Sequence, residues 1–145
     1  MAKELNPNKY VDLFKPLKNE ADKIAKSAEE EMIKLLKENP KGSCIILPED
    51  NQVDFLFDRD GYYATFLAWA VGVVDGELCM KTINCSDGDV YYGWTSAQSL
   101  LYGVPETPRF YVYLYQMVVN NLDDAMSQEE ADEQKPDGYI DDEEE

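Results

Sequence analysis

Four aspartates at two predicted turns are the side chains whose type and spacing could support chemistry: Asp58 with Asp60, and Asp87 with Asp89. Alternate turns of an antiparallel meander lie at the same end of the sheet, and the predicted register places Tyr62 opposite Asp89. The two pairs would then approach each other and could bind Ca²⁺ or Mg²⁺, which take oxygen ligands. Aspartate is also an ordinary turn residue, because its side chain hydrogen-bonds its own backbone. We expect the turn role first and a divalent-metal site as the alternative.

The residue types that most catalytic sites need are scarce in this sequence. Histidine is absent, which removes Ser-His-Asp and Cys-His catalysis and the usual zinc ligand sets. Three cysteines without a C-x-x-C motif make a structural zinc site improbable, and their odd number argues against a disulfide framework. The sequence has no glycine-rich phosphate-binding motif. We therefore expect a protein that is not an enzyme and that uses no cofactor.

Aromatic side chains are concentrated near the end of the predicted sheet, at Tyr91, Tyr92, Trp94 and Tyr102. They could line a ligand pocket, but aromatic residues with polar tips lie more often in cores or at interfaces. We expect Tyr91, Tyr92 and Trp94 to contribute to the binding of a partner protein. A tyrosine-lined pocket for a small molecule is the alternative.

The elements that must position these residues are five predicted strands. Each is rich in β-branched and aromatic residues, and they span residues 43–47, 53–57, 62–74, 77–85 and 90–95. Asp75-Gly76 is the pair expected at a two-residue type I′ hairpin turn. The strands are joined by well-marked turns, so the pattern predicts an antiparallel β-meander.

The Asp75-Gly76 turn also predicts which residues share each face of the sheet. One face carries Phe66 together with several small residues, which leave room for helices to lie close. The other face carries Trp69 and Val71 with further apolar residues, and it needs a second cover or a partner. We therefore expect Trp69 and Val71 to bind a partner, and a homodimer through this face is one such arrangement.

Helices are predicted on both sides of the strands in the sequence. Apolar residues recur at spacings of three and four over residues 17–35, the strongest helical signal in the chain. Asn6-Pro7 predicts a shorter helix before it, because it combines a capping residue with a first-turn proline. Two further helices are predicted at residues 96–102 and 107–126.

The segment 110–119 is ambiguous, because its tyrosines also alternate with apolar residues as they would in a strand. We predict a helix, because Thr107-Pro108 is a good helix start and the apolar run is too long for one strand. The whole pattern predicts an α+β fold: N-terminal helices, an antiparallel β-meander of about five strands, a C-terminal helix packing on the sheet, and a disordered acidic tail.

Acidic residues are concentrated toward the C-terminus. The formal net charge is −17, and the sequence gives +1 for residues 1–42, −7 for residues 43–122 and −11 for residues 123–145. Backbone contacts to nucleic acids and anionic membrane surfaces rely on Lys and Arg, so we expect neither direct nucleic-acid binding nor membrane binding. A basic protein surface would be attracted instead.

Residues 127–145 contain almost no core-forming side chains, a composition typical of disorder. We predict a single α+β domain over residues 1–126 and a disordered acidic tail over residues 127–145. Tyr139 and Ile140 are the apolar pair of this tail and are candidate partner contacts. The tail could be solubilising, could capture a basic partner, or could mask lysines of the N-terminal helix.

These observations predict a non-catalytic protein-interaction module, such as an inhibitor, adaptor or chaperone-like protein, that binds a basic protein partner. Nucleic-acid mimicry is a special case, in which carboxylates of the folded domain imitate phosphates. The alternative is a small-molecule or divalent-metal-binding domain that uses the aspartate turns or a tyrosine-lined pocket. The polar N-terminus lacks the apolar run of a signal peptide, so we expect a cytoplasmic protein.

Overall fold

The computed structural model describes residues 18–59, 61–101 and 107–136. Its helices are α1 (Lys18–Lys37), α2 (Ala97–Leu101), α3 (Thr107–Asn120) and α4 (Gln128–Asp132). Its strands are β1 (Cys44–Ile46), β2 (Val53–Arg59), β3 (Tyr62–Val74), β4 (Glu77–Asn84) and β5 (Val90–Ser96). The predicted α+β fold with an antiparallel meander is confirmed. The short helix predicted at Asn6-Pro7 lies outside the described residues.

The five strands form one antiparallel sheet with β3 as its central member. β4 pairs with β3 and β5 pairs with β4, whereas β2 and β1 pair with successive parts of β3. Asp75 and Gly76 have φ values of 54° and 81°, the positive values that a type I′ hairpin requires. The predicted pairing of Val74 with Glu77 is confirmed. Within the described ranges, no helix is long and apolar enough to cross a membrane.

A β-bulge at Trp69 divides β3 into two segments of opposite alternation. Val71 pairs with Met80 as predicted, but Thr82 pairs with Ala68 instead of Trp69. A bulge inserts one extra residue into one strand, so the side chains beyond it exchange faces. The predicted faces were therefore wrong across the bulge: Val71 lies in the core under the helices, and Trp69 lies on the opposite face.

Helices α1 and α3 cover one face of the sheet, which we call the inner face, and they also pack against each other. Met32 and Leu36 of α1 and Leu114 of α3 are fully buried there. Phe55 of β2 meets Phe110 of α3 edge to face, with ring centroids 4.9 Å apart. The prediction that a C-terminal helix packs on the sheet is confirmed, and the ambiguous segment is helix.

The residues that follow α3 return to β1 at the edge of the sheet. Met126 and Cys44 exchange two backbone hydrogen bonds, of 2.7 and 3.0 Å. Ser127 begins α4 with a capping box, and Ala131 of that helix is buried. The prediction that residues 127–145 are disordered therefore does not hold for residues 127–136, which contain a helix and buried side chains. The remainder of the predicted tail lies outside the described residues.

Candidate functional site

The outer face of the sheet, opposite the helices, has a covered half and an exposed half. In the covered half, Trp69, Ala70 and Ile83 form a small buried cluster beside the partly buried Trp94. Helix α4 contributes Asp132, whose carboxylate accepts a hydrogen bond from the indole Nε1 of Trp94. The C-terminal segment thus supplies a cover for part of the face that the sequence predicted to be open.

Lys81 is the basic residue of the covered half. Its Nζ lies 5.6 Å from the ring centroid of Trp69 and 5.2 Å from that of Trp94, within the range of cation–π attraction. The same Nζ lies 3.8 Å from a carboxylate oxygen of Asp132. The positive charge of Lys81 therefore interacts with residues of this chain. In the covered half, these contacts hold helix α4 against the sheet.

The exposed half carries apolar and acidic side chains next to one another. Leu56, Tyr63 and Tyr91 are 39%, 66% and 41% exposed. Leu56 points outward because its neighbours in β2 alternate with it and are buried in the core. We define the outer patch as six residues of this half: Asp54, Leu56, Asp58, Tyr63, Asp89 and Tyr91.

The strand register places the strand residues of the outer patch on one face of the sheet. Asp58 pairs with Tyr63 across β2 and β3, so both side chains lie on one face. Asp54 pairs with Leu67, Leu67 with Ile83, and Ile83 with Tyr91. These four residues form one row across β2, β3, β4 and β5, with Asp54 and Tyr91 at its two ends. The outer patch therefore has one carboxylate beside an exposed ring, that of Asp58 beside Tyr63, and further acidic and apolar side chains on the same face of the sheet.

The pKa of the Cys85 thiol is affected by two carboxylates of the outer patch. Burial is the first cause that raises the pKa of Cys85, and the carboxylates of Asp89 and Asp54 raise it further. Both carboxylates therefore lie close enough to act on one thiol, although they come from different parts of the chain. A cation placed over the same region would be stabilised by the same two charges.

The residues predicted to bind a partner have different positions in the structure. Trp69 and Val71 are buried on opposite faces, so neither side chain is offered to a partner. Tyr91 is exposed and belongs to the outer patch. Trp94 is half-buried and hydrogen-bonded to Asp132. Tyr139 and Ile140 lie outside the described residues.

Tyr91 and Tyr92 are neighbours in β5 and point to opposite faces of the sheet. The ring of Tyr92 stacks on Phe66 of the inner face, with centroids 5.8 Å apart. The two tyrosines therefore cannot line a single pocket together, which removes the basis of the predicted tyrosine-lined pocket. Its fourth residue, Tyr102, lies outside the described residues.

The aspartates predicted to bind a metal are only partly described. Asp58 and Asp89 are exposed, whereas Asp60 and the side chain of Asp87 lie outside what the structure describes. Among the described residues, no group of three or more His, Cys, Asp or Glu side chains could hold a metal ion.

The strand register predicted to bring the two aspartate turns together also differs from the observed one. The amide Nδ2 of Asn84 donates a 2.6 Å hydrogen bond to the Tyr62 hydroxyl, and Asn84 pairs with Val90 in the ladder. Asn84 also pairs with Phe66, one position away from the predicted register. The predicted alignment of Tyr62 with Asp89 is therefore shifted by the bulge in β3.

The three thiols are not prepared for nucleophilic chemistry. Cys44 and Cys79 are buried and Cys85 is exposed, and none forms a disulfide. Burial is the first cause that raises the pKa of Cys44 and also of Cys79, which keeps both protonated. An activated cysteine needs the opposite shift, because the thiolate is the nucleophile.

Sequence reasoning missed two exposed members of the outer patch, Leu56 and Tyr63. A signal for Leu56 was present, because Val53, Phe55 and Phe57 alternate with Asp54, Leu56 and Asp58. That pattern places Leu56 between two carboxylates on the face away from the core.

Comparison with protein-family models, with curated proteins and with solved structures gave no match.

Proposed function

We propose that this chain is a non-catalytic protein-interaction module that binds a basic segment of a partner protein through the outer patch. The observation that carries the proposal is the exposure of Tyr63 and Tyr91 on a sheet face that also carries the carboxylates of Asp54 and Asp58. Five of the six residues of the patch lie on strands, so their backbone positions are set before a partner arrives.

The chemistry of the outer patch matches a partner that is both apolar and basic. Tyrosine rings are frequent sources of binding energy at interfaces, because they bury a large area with few rotatable bonds. Carboxylates at the margin attract basic partners during the encounter and fix their orientation. Lysine and arginine stems pack on aromatic rings while their charged ends reach the carboxylates.

A basic peptide segment suits this surface better than a groove that normally binds nucleic acid. A nucleic-acid mimic presents rows of carboxylates at regular spacing. In the outer patch, Asp54 and Asp58 are separated by the apolar Leu56, so aromatic and aliphatic contacts accompany each charge. This alternation is the reason for proposing a peptide-binding surface in place of mimicry.

A pull-down from nuclease-treated native lysate tests the proposal. The bait is the full chain, and the comparison is a chain that ends at Pro136, the last described residue. We expect a specific basic protein to be retained by both baits and to be weakened by added salt, which screens exposed charges. A partner lost when residues 137–145 are removed, or retention of no specific partner by either bait, would contradict the proposal.

A further inference from the structure

A cleft of about 400 Å³ lies among helices α1, α2 and α3, on the side of the molecule away from the outer patch. Its volume is at the lower end of the range for small-molecule sites. The residues that line it are Ala25, Lys26, Glu29, Gln98, Leu101, Thr107 and Tyr111. It therefore combines one carboxylate with apolar and aromatic walls.

The Glu29 carboxylate is the unusual group of this cleft, because Glu29 is only 7% exposed. The amide Nε2 of Gln98 donates to both of its oxygens, at 3.1 and 3.2 Å. A carboxylate can accept about four hydrogen bonds, so one amide group leaves much of this capacity unused. Among the described residues, Glu29 has no ion-pair partner. A buried negative charge in this state favours the arrival of a cation.

The other walls determine what kind of cation would fit. Tyr111 is 4% exposed, and burial followed by the charge of Glu29 raises the pKa of its phenol. The phenol is therefore neutral at physiological pH and presents a ring and a hydroxyl rather than a second negative charge. Leu101 and Ala25 add apolar surface. A metal ion would find one carboxylate here, whereas an organic cation would find both a counter-charge and an apolar wall.

Lys26 lies on α1 three residues before Glu29, is exposed, and lines the same cleft. Because Lys26 lines the cleft, its positive charge would repel a cation that enters there. Removal of this charge should therefore strengthen binding, although removal of a side chain from a site usually weakens it.

We propose that this cleft binds a small organic ammonium compound, with the Glu29 carboxylate as its counter-ion and the Tyr111 ring and Leu101 as its apolar wall. The proposal does not depend on the outer patch, because α1 and α3 cover the inner face of the sheet and the patch lies on the outer face.

Titration of the full chain with benzylamine, followed by ¹H–¹⁵N NMR, tests the proposal. Benzyl alcohol is the uncharged probe of nearly the same shape. We expect benzylamine to shift the side-chain amide signals of Gln98 saturably, with a dissociation constant of roughly millimolar order for so small a ligand. We expect benzyl alcohol to bind at least about tenfold more weakly, because it lacks the charge that pairs with Glu29.

Three variants separate binding from a structural effect. Glu29→Gln should weaken benzylamine binding at least about tenfold, whereas Lys26→Met should strengthen it by about twofold to tenfold. Glu30→Gln is the matched control, because Glu30 is an exposed acid on the same helix, and it should bind as the wild type does. Thermal unfolding of each variant checks that it is folded. Equal binding of the two probes, unchanged binding by Glu29→Gln, or absence of a saturable shift would overturn the proposal.

Discussion

The indole Nε1 of Trp94 donates a 2.7 Å hydrogen bond to the carboxylate of Asp132, and this bond joins the edge strand β5 to helix α4. The same carboxylate lies 3.8 Å from the Nζ of Lys81. These contacts hold the C-terminal segment against the covered half of the outer face. The outer patch lies in the other, exposed half of that face.

Replacement of Asp132 by alanine should loosen α4 without unfolding the sheet. It removes a charge-assisted hydrogen bond and an ion pair, both partly exposed, so we expect a loss of about 1 kcal/mol in the free energy of unfolding. Hydrogen exchange of the amides in residues 127–133 should become faster. Glu133→Ala removes an exposed acid next to it and is the control. Equal exchange rates in the two variants would show that Asp132 does not hold the segment.

Gly72 is required by the close approach of β1. A Cβ added at Gly72 would lie 2.6 Å from the Sγ of Cys44 and 3.0 Å from the carbonyl oxygen of Ser43. We expect Gly72→Ala to lower the free energy of unfolding by about 1–3 kcal/mol through overpacking. Gly93→Ala is the matched strand control, because a Cβ there meets nothing within 4 Å. Urea unfolding measures both, and an equal effect of the two substitutions would contradict this prediction.

The thiols should react in a fixed order. Cys85 is exposed, whereas Cys44 and Cys79 are buried, and burial raises the pKa of both buried thiols. Iodoacetamide should therefore label Cys85 first in the native protein and the other two after unfolding in urea. Intact-protein mass spectrometry with peptide mapping measures the order. Early labelling of Cys44 or Cys79 would show that the core around β1 opens more readily than the structure implies.

Stability should decline at alkaline pH. Burial raises the pKa of Tyr111 above its ordinary 10.0, and it raises those of Cys44 and Cys79 above 9.0. Above these ordinary values the unfolded chain releases protons that the folded chain keeps, so the free energy of unfolding falls as the pH rises. Thermal unfolding midpoints at about pH 8 and about pH 10.5 measure this decline.

Tyr111→Phe isolates the contribution of one phenol to that decline. This variant should lose less stability between the two pH values than the wild type does, because one buried ionisable group has been removed. Tyr113→Phe, on the exposed side of the same helix, should lose as much as the wild type. An unchanged pH dependence in Tyr111→Phe would exclude a role for its buried hydroxyl.

Much of the fold could be predicted from local sequence patterns. The bounds of β3 follow from the run of β-branched and aromatic residues, and the hairpin follows from the Asp75-Gly76 pair. The positive φ values of these two residues agree with the predicted turn. The bulge at Trp69 could not be predicted, because small residues on both sides of it, Ala68 and Ala70, fit either register. That single insertion reversed the faces predicted for the second half of β3, where Val71 lies in the core and Ala70 on the opposite face.

The C-terminal segment was predicted to be disordered because acidic composition dominated its interpretation. The local signal for α4 was nevertheless present, since Ser127 and Glu130 have the spacing of a capping box. The site was predicted only in part. Tyr91 was among the predicted partner contacts, whereas the position of Tyr63 beside Asp58 depends on the pairing of two strands, which composition does not reveal.

The measurement that tests the central claim most directly is the affinity of a basic partner for variants of the outer patch. Tyr63→Ser combined with Tyr91→Ser removes the two exposed rings, and the control Tyr113→Ser removes from α3 a ring that is about as exposed as that of Tyr91. Calorimetric titration with the partner retained by the folded domain should show a loss of about a hundredfold for the double variant and little change for the control. Wild-type affinity in the double variant, or an equal loss in the control, would contradict binding through the outer patch.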